Sequence, residues 1–167
     1  MKHIVISGIL LCFALTGFSQ SAEKAIGIRG GLSSGFEYRV FSGEMSSYKV
    51  LLSTRKRGLQ VTGLKEFHVP DVFEIGEELS FVYGLGAHVG FESWETDHYR
   101  DFFPYERFDK RITGPIVGLD ALAALEYTIP AIPLVFGIEA KPYFNLFGEY
   151  FFAIEPFDFA FTVKYTF

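Results

Sequence analysis

Phe157-Asp-Phe-Ala-Phe-Thr-Val-Lys-Tyr-Thr-Phe167 is the stretch whose reading decides the fold. Phe157, Phe159, Phe161, Val163, Tyr165 and Phe167 share one parity, and Asp158, Ala160, Thr162, Lys164 and Thr166 share the other. Successive residues of an extended chain point to opposite faces, so alternation of large apolar with small or polar residues predicts a two-faced β-strand.

The same period recurs upstream. From Ala25 to Phe41, Ile26, Ile28, Leu32, Phe36, Tyr38 and Val40 oppose Arg29, Ser33, Glu37 and Arg39. Leu59, Val61, Phe67 and Val69 oppose Gln60, Thr62, Glu66 and His68; Phe81, Tyr83, Leu85, Val89 and Phe91 oppose Ser80, Gly84, Gly86, His88 and Gly90. Leu134, Phe136, Ile138 and Phe144 oppose Gly137, Glu139, Lys141 and Tyr143. Leu119 to Glu126 is rich in helix formers, but it too alternates, with Val117, Leu119, Ala121 and Leu125 against Gly118, Asp120 and Glu126. Pattern outranks propensity, so a strand is expected there. Turn-like segments lie at Ser42–Ser46, Thr54–Arg57, Pro70–Glu78, Glu92–Arg111, Thr128–Ala131 and Asn145–Pro156. The fold class expected is all-β.

The first twenty residues read differently. Lys2 and His3 precede an apolar run from Ile4 to Leu15, and Gly17 and Ser19 supply small residues near a cleavage point. That is the three-part pattern of a secretory signal, and the run is shorter than the roughly 20 residues a transmembrane helix needs. Residues 1–20 are therefore expected to be a signal peptide and 21–167 a single barrel domain. Cys12, the only cysteine, falls in that apolar run, which excludes disulfides and thiol chemistry from the remainder. The remainder keeps 14 of the 15 basic and all 20 acidic residues, a formal charge of about −6. Such an acidic chain has no basic face for nucleic acid, and no nucleic-acid partner is expected.

Alternation alone leaves open which face meets water. A soluble lipid carrier turns its apolar parity inward, whereas a membrane barrel turns it outward. The Gly- and charge-rich polar parity suits a narrow hydrated lumen, and the aromatic content, 20 Phe and 9 Tyr, suits interfacial girdles. The apparent signal, the alternating Gly- and Phe-rich strands and the ending Val163-Lys-Tyr-Thr-Phe167 resemble small outer-membrane β-barrel proteins of Gram-negative bacteria. Gly58-Leu-Gln-Val-Thr-Gly-Leu64 with Glu66 and His68, and Glu139-Ala-Lys-Pro-Tyr-Phe-Asn145, look similar to barrels of the Bacteroidetes type. The resemblance implies an eight-stranded antiparallel up-and-down transmembrane barrel in the cell outer membrane. It also implies that Tyr165 and Phe167 form a signal for the barrel-assembly machinery, and that lipid and lipopolysaccharide are the surrounding partners. An even strand count requires splitting Ala25–Phe41 at Ser33-Ser34-Gly35, with Gly35 supplying positive φ and Leu32 facing Phe36. An eighth strand within Gly148–Ile154 is the alternative.

Inward charges are the first functional candidates: Arg29, Glu37, Arg39, Glu66, His68, Asp120, Glu126, Glu139, Lys141 and Lys164. Buried charges must be paired, so a cross-lumen ion-pair network is expected. Glu66 and His68, two apart on one face, also fit half of a general-base site for which no motif supplies the nucleophile. His88 with Ser80, or His98 with Ser93, is the corresponding placement for a lipid-modifying enzyme of the lipid A deacylase or acyltransferase type. The segment Glu92–Arg111 carries ten charges among Trp94, Tyr99, Phe102, Phe103, Tyr105 and Phe108. Trp94, His98, Tyr99 and Tyr105 are candidates for an extracellular binding surface. Glu95, Asp97, His98 and Asp101 offer cation ligands, but their spacing matches no metal-binding motif, so neither a metal nor a cofactor is expected. A structural, adhesive or loop-binding barrel with a plugged polar lumen is the expected function, and a lipid-modifying enzyme the alternative.

Overall fold

A computed structural model describes residues 23–55, 58–72, 76, 78–97, 109–148 and 151–167. The secondary structure of these residues is entirely β: β1 Lys24–Gly31, β2 Ser34–Phe41, β3 Ser46–Arg55, β4 Gly58–Pro70, β5 Leu79–Asp97, β6 Asp109–Thr128, β7 Leu134–Ala140, β8 Tyr143–Phe147, β9 Ala153–Glu155 and β10 Phe159–Thr166. Each of β1 to β6 pairs antiparallel with the next, β6 pairs with β7, β7 with β10, and β10 closes on β1. The result is a closed eight-stranded antiparallel barrel.

Ten strands make eight staves because two staves are interrupted. β7 and β8 both pair with β6, Ala140 opposite Ala123 and Tyr143 opposite Asp120, so they are one stave broken at Lys141-Pro142. Proline has no N–H to give to the ladder, and the break leaves the Pro142 carbonyl bonded to Ala121 N at 2.9 Å. β9 and β10 likewise flank a break at Pro156 to Asp158 and pair in turn with β8 and β7.

Burial alternates along each stave. In β3, Ser47, Lys49, Leu51 and Ser53 are buried while Tyr48, Val50 and Leu52 are exposed. In β4, Gln60, Thr62, Leu64 and Glu66 are buried while Leu59, Val61, Phe67 and Val69 are exposed. The apolar parity is the outer wall and the polar parity the lumen, the reverse of a lipid-carrying barrel. Inward apolar residues are few; Leu64, Val82, Leu122 and Ala124 form one cluster on β4 to β6. Inward glycine lets the narrow wall close: a Cβ at Gly118 would lie 2.2 Å from the Phe144 carbonyl oxygen and 2.5 Å from the His88 ring.

Three expectations need correction. The first hairpin is split as required, but its turn is Leu32-Ser33, and Ile28, not Leu32, faces Phe36. Gly35 belongs to β2 and is not among the positive-φ residues; a Cβ there would lie 2.0 Å from the Leu52 carbonyl oxygen, so close approach of β3 is what demands glycine. The described residues of the segment Glu92–Arg111 are strand rather than loop, since β5 runs to Asp97 opposite Asp109 of β6. Beyond Phe91 and Val117 these strands pair only with each other, so a two-stranded ribbon rises past the rim. The alternative strand within Gly148–Ile154 also has a counterpart, β9, but as the upper part of the last stave.

Candidate functional site: an ion-paired lumen

Six inward side chains close a ring of alternating charge across the barrel. Arg39 of β2 binds Glu66 of β4 through Nε at 2.7 Å and holds Glu126 of β6 bidentately at 2.7 and 2.8 Å. Glu66 also meets Lys49 of β3 at 2.9 Å, and Glu126 meets Lys164 of β10 at 2.9 Å. Glu37 completes the ring, 3.4 Å from Lys49 and 3.1 Å from Lys164, held by charge without hydrogen-bond geometry. Glu139 of β7 sits against both lysines, at 2.8 Å from Lys49 and 3.4 Å from Lys164, and reaches Arg29 of β1 at 3.2 Å. All eight residues are at least 96% buried. Their positions follow from parity alone, because each lies on the inward face of its strand.

A second layer lies nearer the rim of the long hairpin. Arg29 donates to the Ser33 and Asp158 carbonyl oxygens at 2.7 and 3.2 Å, and Ser33 Oγ bonds the Asp158 carboxylate at 2.8 and 2.9 Å. Lys141 meets Asp120 at 2.8 Å and Asp158 at 3.6 Å. His88 is fixed on both nitrogens, Nδ1 at 2.7 Å from Asp120 and Nε2 at 2.9 Å from the Asn145 side-chain oxygen. Arg55 of β3 reaches over the short first hairpin to Glu155 at 3.1 Å. The ion pairs of the two layers cross the lumen, from β2 to β6 and from β1 to β7, with the apolar cluster on β4 to β6 beside them.

No family model, curated protein or solved structure matches the chain. Removing one partner of a buried ion pair costs about 3–5 kcal/mol, whereas an intact pair adds little net stability. The network's effect is mutual: each charge is tolerable only while its neighbours stay in place.

The structure also supplies a hydroxyl between Glu66 and His68. Ser47 Oγ lies 2.9 Å from Glu66 Oε2 and 2.8 Å from His68 Nε2. This trio lacks triad chemistry. Glu66, beside Arg39 and Lys49, is an acceptor only, so the single Ser47 proton is directed to it. His68 then donates to Ser47 instead of drawing its proton, and Ser47 is fully buried. The His88–Ser80 pairing is not formed: Ser80 sits opposite Glu126 and Pro70 near the chain ends, and His88 eight residues further along β5 opposite Gly118.

Of the ten inward candidates, nine are buried; His68 is half-buried at the mouth beside Phe41, ring centroids 5.3 Å apart. Lys49 and Asp158 are network members that the candidate set lacked. Parity was the signal that finds them, because Lys49 alternates with Tyr48 and Val50, and Asp158 with Phe157 and Phe159. Trp94 lies within β5, half-buried, its ring over Gly114, where a Cβ would come within 2.5 Å of it. His98, Tyr99 and Tyr105 lie outside the described residues, as does the segment 1–20. Tyr165 and Phe167 stack at 6.3 Å on the outer wall at the end of β10. Among the described residues, no group of three or more His, Cys, Asp and Glu is placed to hold a metal ion.

Proposed function

We propose that the chain is a non-enzymatic outer-membrane barrel whose lumen is a sealed structural plug and whose contacts with the outside run through the β5–β6 ribbon. The observation that carries this reading is the inverted distribution of polarity. Ile28, Phe36, Leu85, Val89, Phe91, Ile138 and Phe161 are each more than half exposed on the outer wall, while among the described side chains the charges of the strands, Lys24 and Lys65 excepted, are turned inward. In water such a wall would be an association hazard, whereas in a bilayer it is the required surface. Closure supports the same reading, because a barrel leaves no unpaired edge within its wall.

The exposed tyrosines Tyr38, Tyr48, Tyr83 and Tyr127 gather in the half of the barrel holding the chain ends. Aromatic residues of this kind suit a membrane interface, here the periplasmic one, with the ribbon on the external side. Secretion through residues 1–20, assembly through Tyr165 and Phe167, and lipopolysaccharide as the lipid around the ribbon belong to this proposal. The test is heat modifiability: the chain from Ser21 onward, refolded in detergent, is run on a gel with and without boiling. A shifted, protease-resistant unboiled band is expected. A chain that folds in plain buffer and shows no shift would overturn the membrane reading.

A further inference from the structure

Two cations interrupt the apolar outer wall, and both are on β1 to β4. Lys24 opens β1, at the rim that holds the chain ends. Lys65 stands further in, exposed on β4 opposite Tyr48 of β3 and Leu85 of β5. Its ammonium group lies 5.8 Å from the centre of the Tyr48 ring and 5.4 Å from that of Phe67. Phe67 is two residues nearer the chain-end rim on the same face, so the side chain bends toward that rim. A lysine on apolar surface lays its stem along the wall in this way and carries its charge to the interface. The ring faces attract the cation but leave its charge uncancelled. The strand carboxylates of β1 to β4, Glu37 and Glu66, are turned into the lumen and spent on Arg39, Lys49 and Lys164. On the other side of Lys65 the wall is hollowed. Gly63 of β4 pairs with Ala87 of β5, both outward and exposed, and a Cβ at Gly63 would meet nothing within 4 Å.

We infer that Lys65, framed by Tyr48 and Phe67, binds the phosphate of an anionic phospholipid in the leaflet around the chain-end half of the barrel. One acyl chain of that lipid lies in the hollow over Gly63 and Ala87. The occupant is anionic because Lys65 has no counter-charge in its own wall. It is a lipid because the cation and the hollow stand in line along β4, as a head group and its chain do. A second copy of the chain does not fit, since below the ribbon the described strand carboxylates all take the inward parity and none could face Lys65. The inference rests on the outer wall facing lipid, as proposed above.

Leu85, beside Lys65 and exposed, is the place for a fluorescent reporter. Leu85→Trp is made together with Trp94→Phe, so that one indole remains. The protein is inserted into phosphatidylcholine vesicles and its heat-modifiable band checked first. A chain that fails to insert defeats the membrane reading and this inference with it, whereas the later arms bear on the inference alone. Phosphatidylglycerol brominated on its acyl chains is then compared as a quencher, at equal fraction, with phosphatidylcholine brominated in the same way. The ratio of the two association constants should be about fivefold in favour of phosphatidylglycerol, the effect of one lysine at an anionic surface. It should fall to about one in Lys65→Met and return in Lys65→Arg, which keeps the charge. A ratio of one with Lys65 in place would overturn the inference. A fivefold ratio that survives Lys65→Met would overturn it as well, because the preference would then belong to the vesicle surface and not to this site.

Discussion

Lys49 is the residue whose removal should be felt most. Its ammonium group has Glu139, Glu66 and Glu37 within 3.4 Å and is fully buried. Lys49→Met keeps the stem and leaves three carboxylates short of a counter-charge. A loss of about 3–5 kcal/mol is expected, read as a lower urea midpoint for unfolding from vesicles. Adding Glu139→Gln should restore part of that loss, because it removes one of the stranded charges. Equal midpoints for the parent and Lys49→Met would show that the ring is not a unit. Ser47→Ala should cost about 1.5–3 kcal/mol, the ordinary value of a hydrogen bond to a charged group. The parent should also resist labelling by a serine-reactive fluorophosphonate, since the Ser47 proton is committed to Glu66; labelling of Ser47 would reinstate the hydrolase reading. The inward charges were legible because charge and parity coincide, as at Arg39 and Glu126. The Ser47–His68 contact was not, because it depends on which strands neighbour one another, here β3 and β4, and at what register.

At the scale of elements, the strands were legible wherever one face is apolar and the other polar, and their ends were not. β5 and β6 run on past the barrel because Ser93, Trp94, Ile112 and Thr113 still pair across the ribbon, Ser93 Oγ and Thr113 Oγ1 lying 2.8 Å apart. Out there the apolar parity lapses, and a pattern-based reading sees only loop. The first hairpin escaped for the opposite reason: its turn keeps the period of its strands, so nothing in the alternation marks Leu32-Ser33. The ribbon makes no ladder contact with the rest of the sheet above Phe91 and Val117, so the barrel should not need it. Replacing residues 95–111 by a two-residue Asn-Gly turn between the paired Trp94 and Ile112, which suits a hairpin, should leave the heat-modifiable band and the urea midpoint unchanged. Loss of the band would mean that the ribbon, or the segment it carries, is part of the folding unit. Gly118→Ala should do the reverse. It leaves the ribbon alone but drives a methyl group into the Phe144 carbonyl and the His88 ring, so the midpoint should fall.

At the scale of the molecule, the two parities place opposite demands on the surroundings, and that sets the hardest test. The ring through Arg39, Glu66, Lys49, Glu37, Lys164 and Glu126 spans the lumen, and an eight-stranded barrel is only wide enough for side chains to fill it. Reconstituted in a planar bilayer, the protein should show no stable conductance steps; steady steps in the unmodified chain would mean that the ring parts and that the plug reading fails. The outer wall gives the complementary prediction. Ile28 is 56% exposed midway along β1, flanked across its ladders by Phe36 and Val163, both on the outward parity. Arginine at a lipid-facing site costs about 2–4 kcal/mol at the bilayer midplane and nearly nothing at the interface. In a protein standing in water the same change would be neutral, since an arginine on an exposed strand face is simply solvated. Ile28→Arg should therefore lower the urea midpoint measured from vesicles by several times the shift seen for Thr113→Arg on the exposed ribbon. If the two substitutions cost the same small amount, the outer wall is not in lipid, however apolar it is.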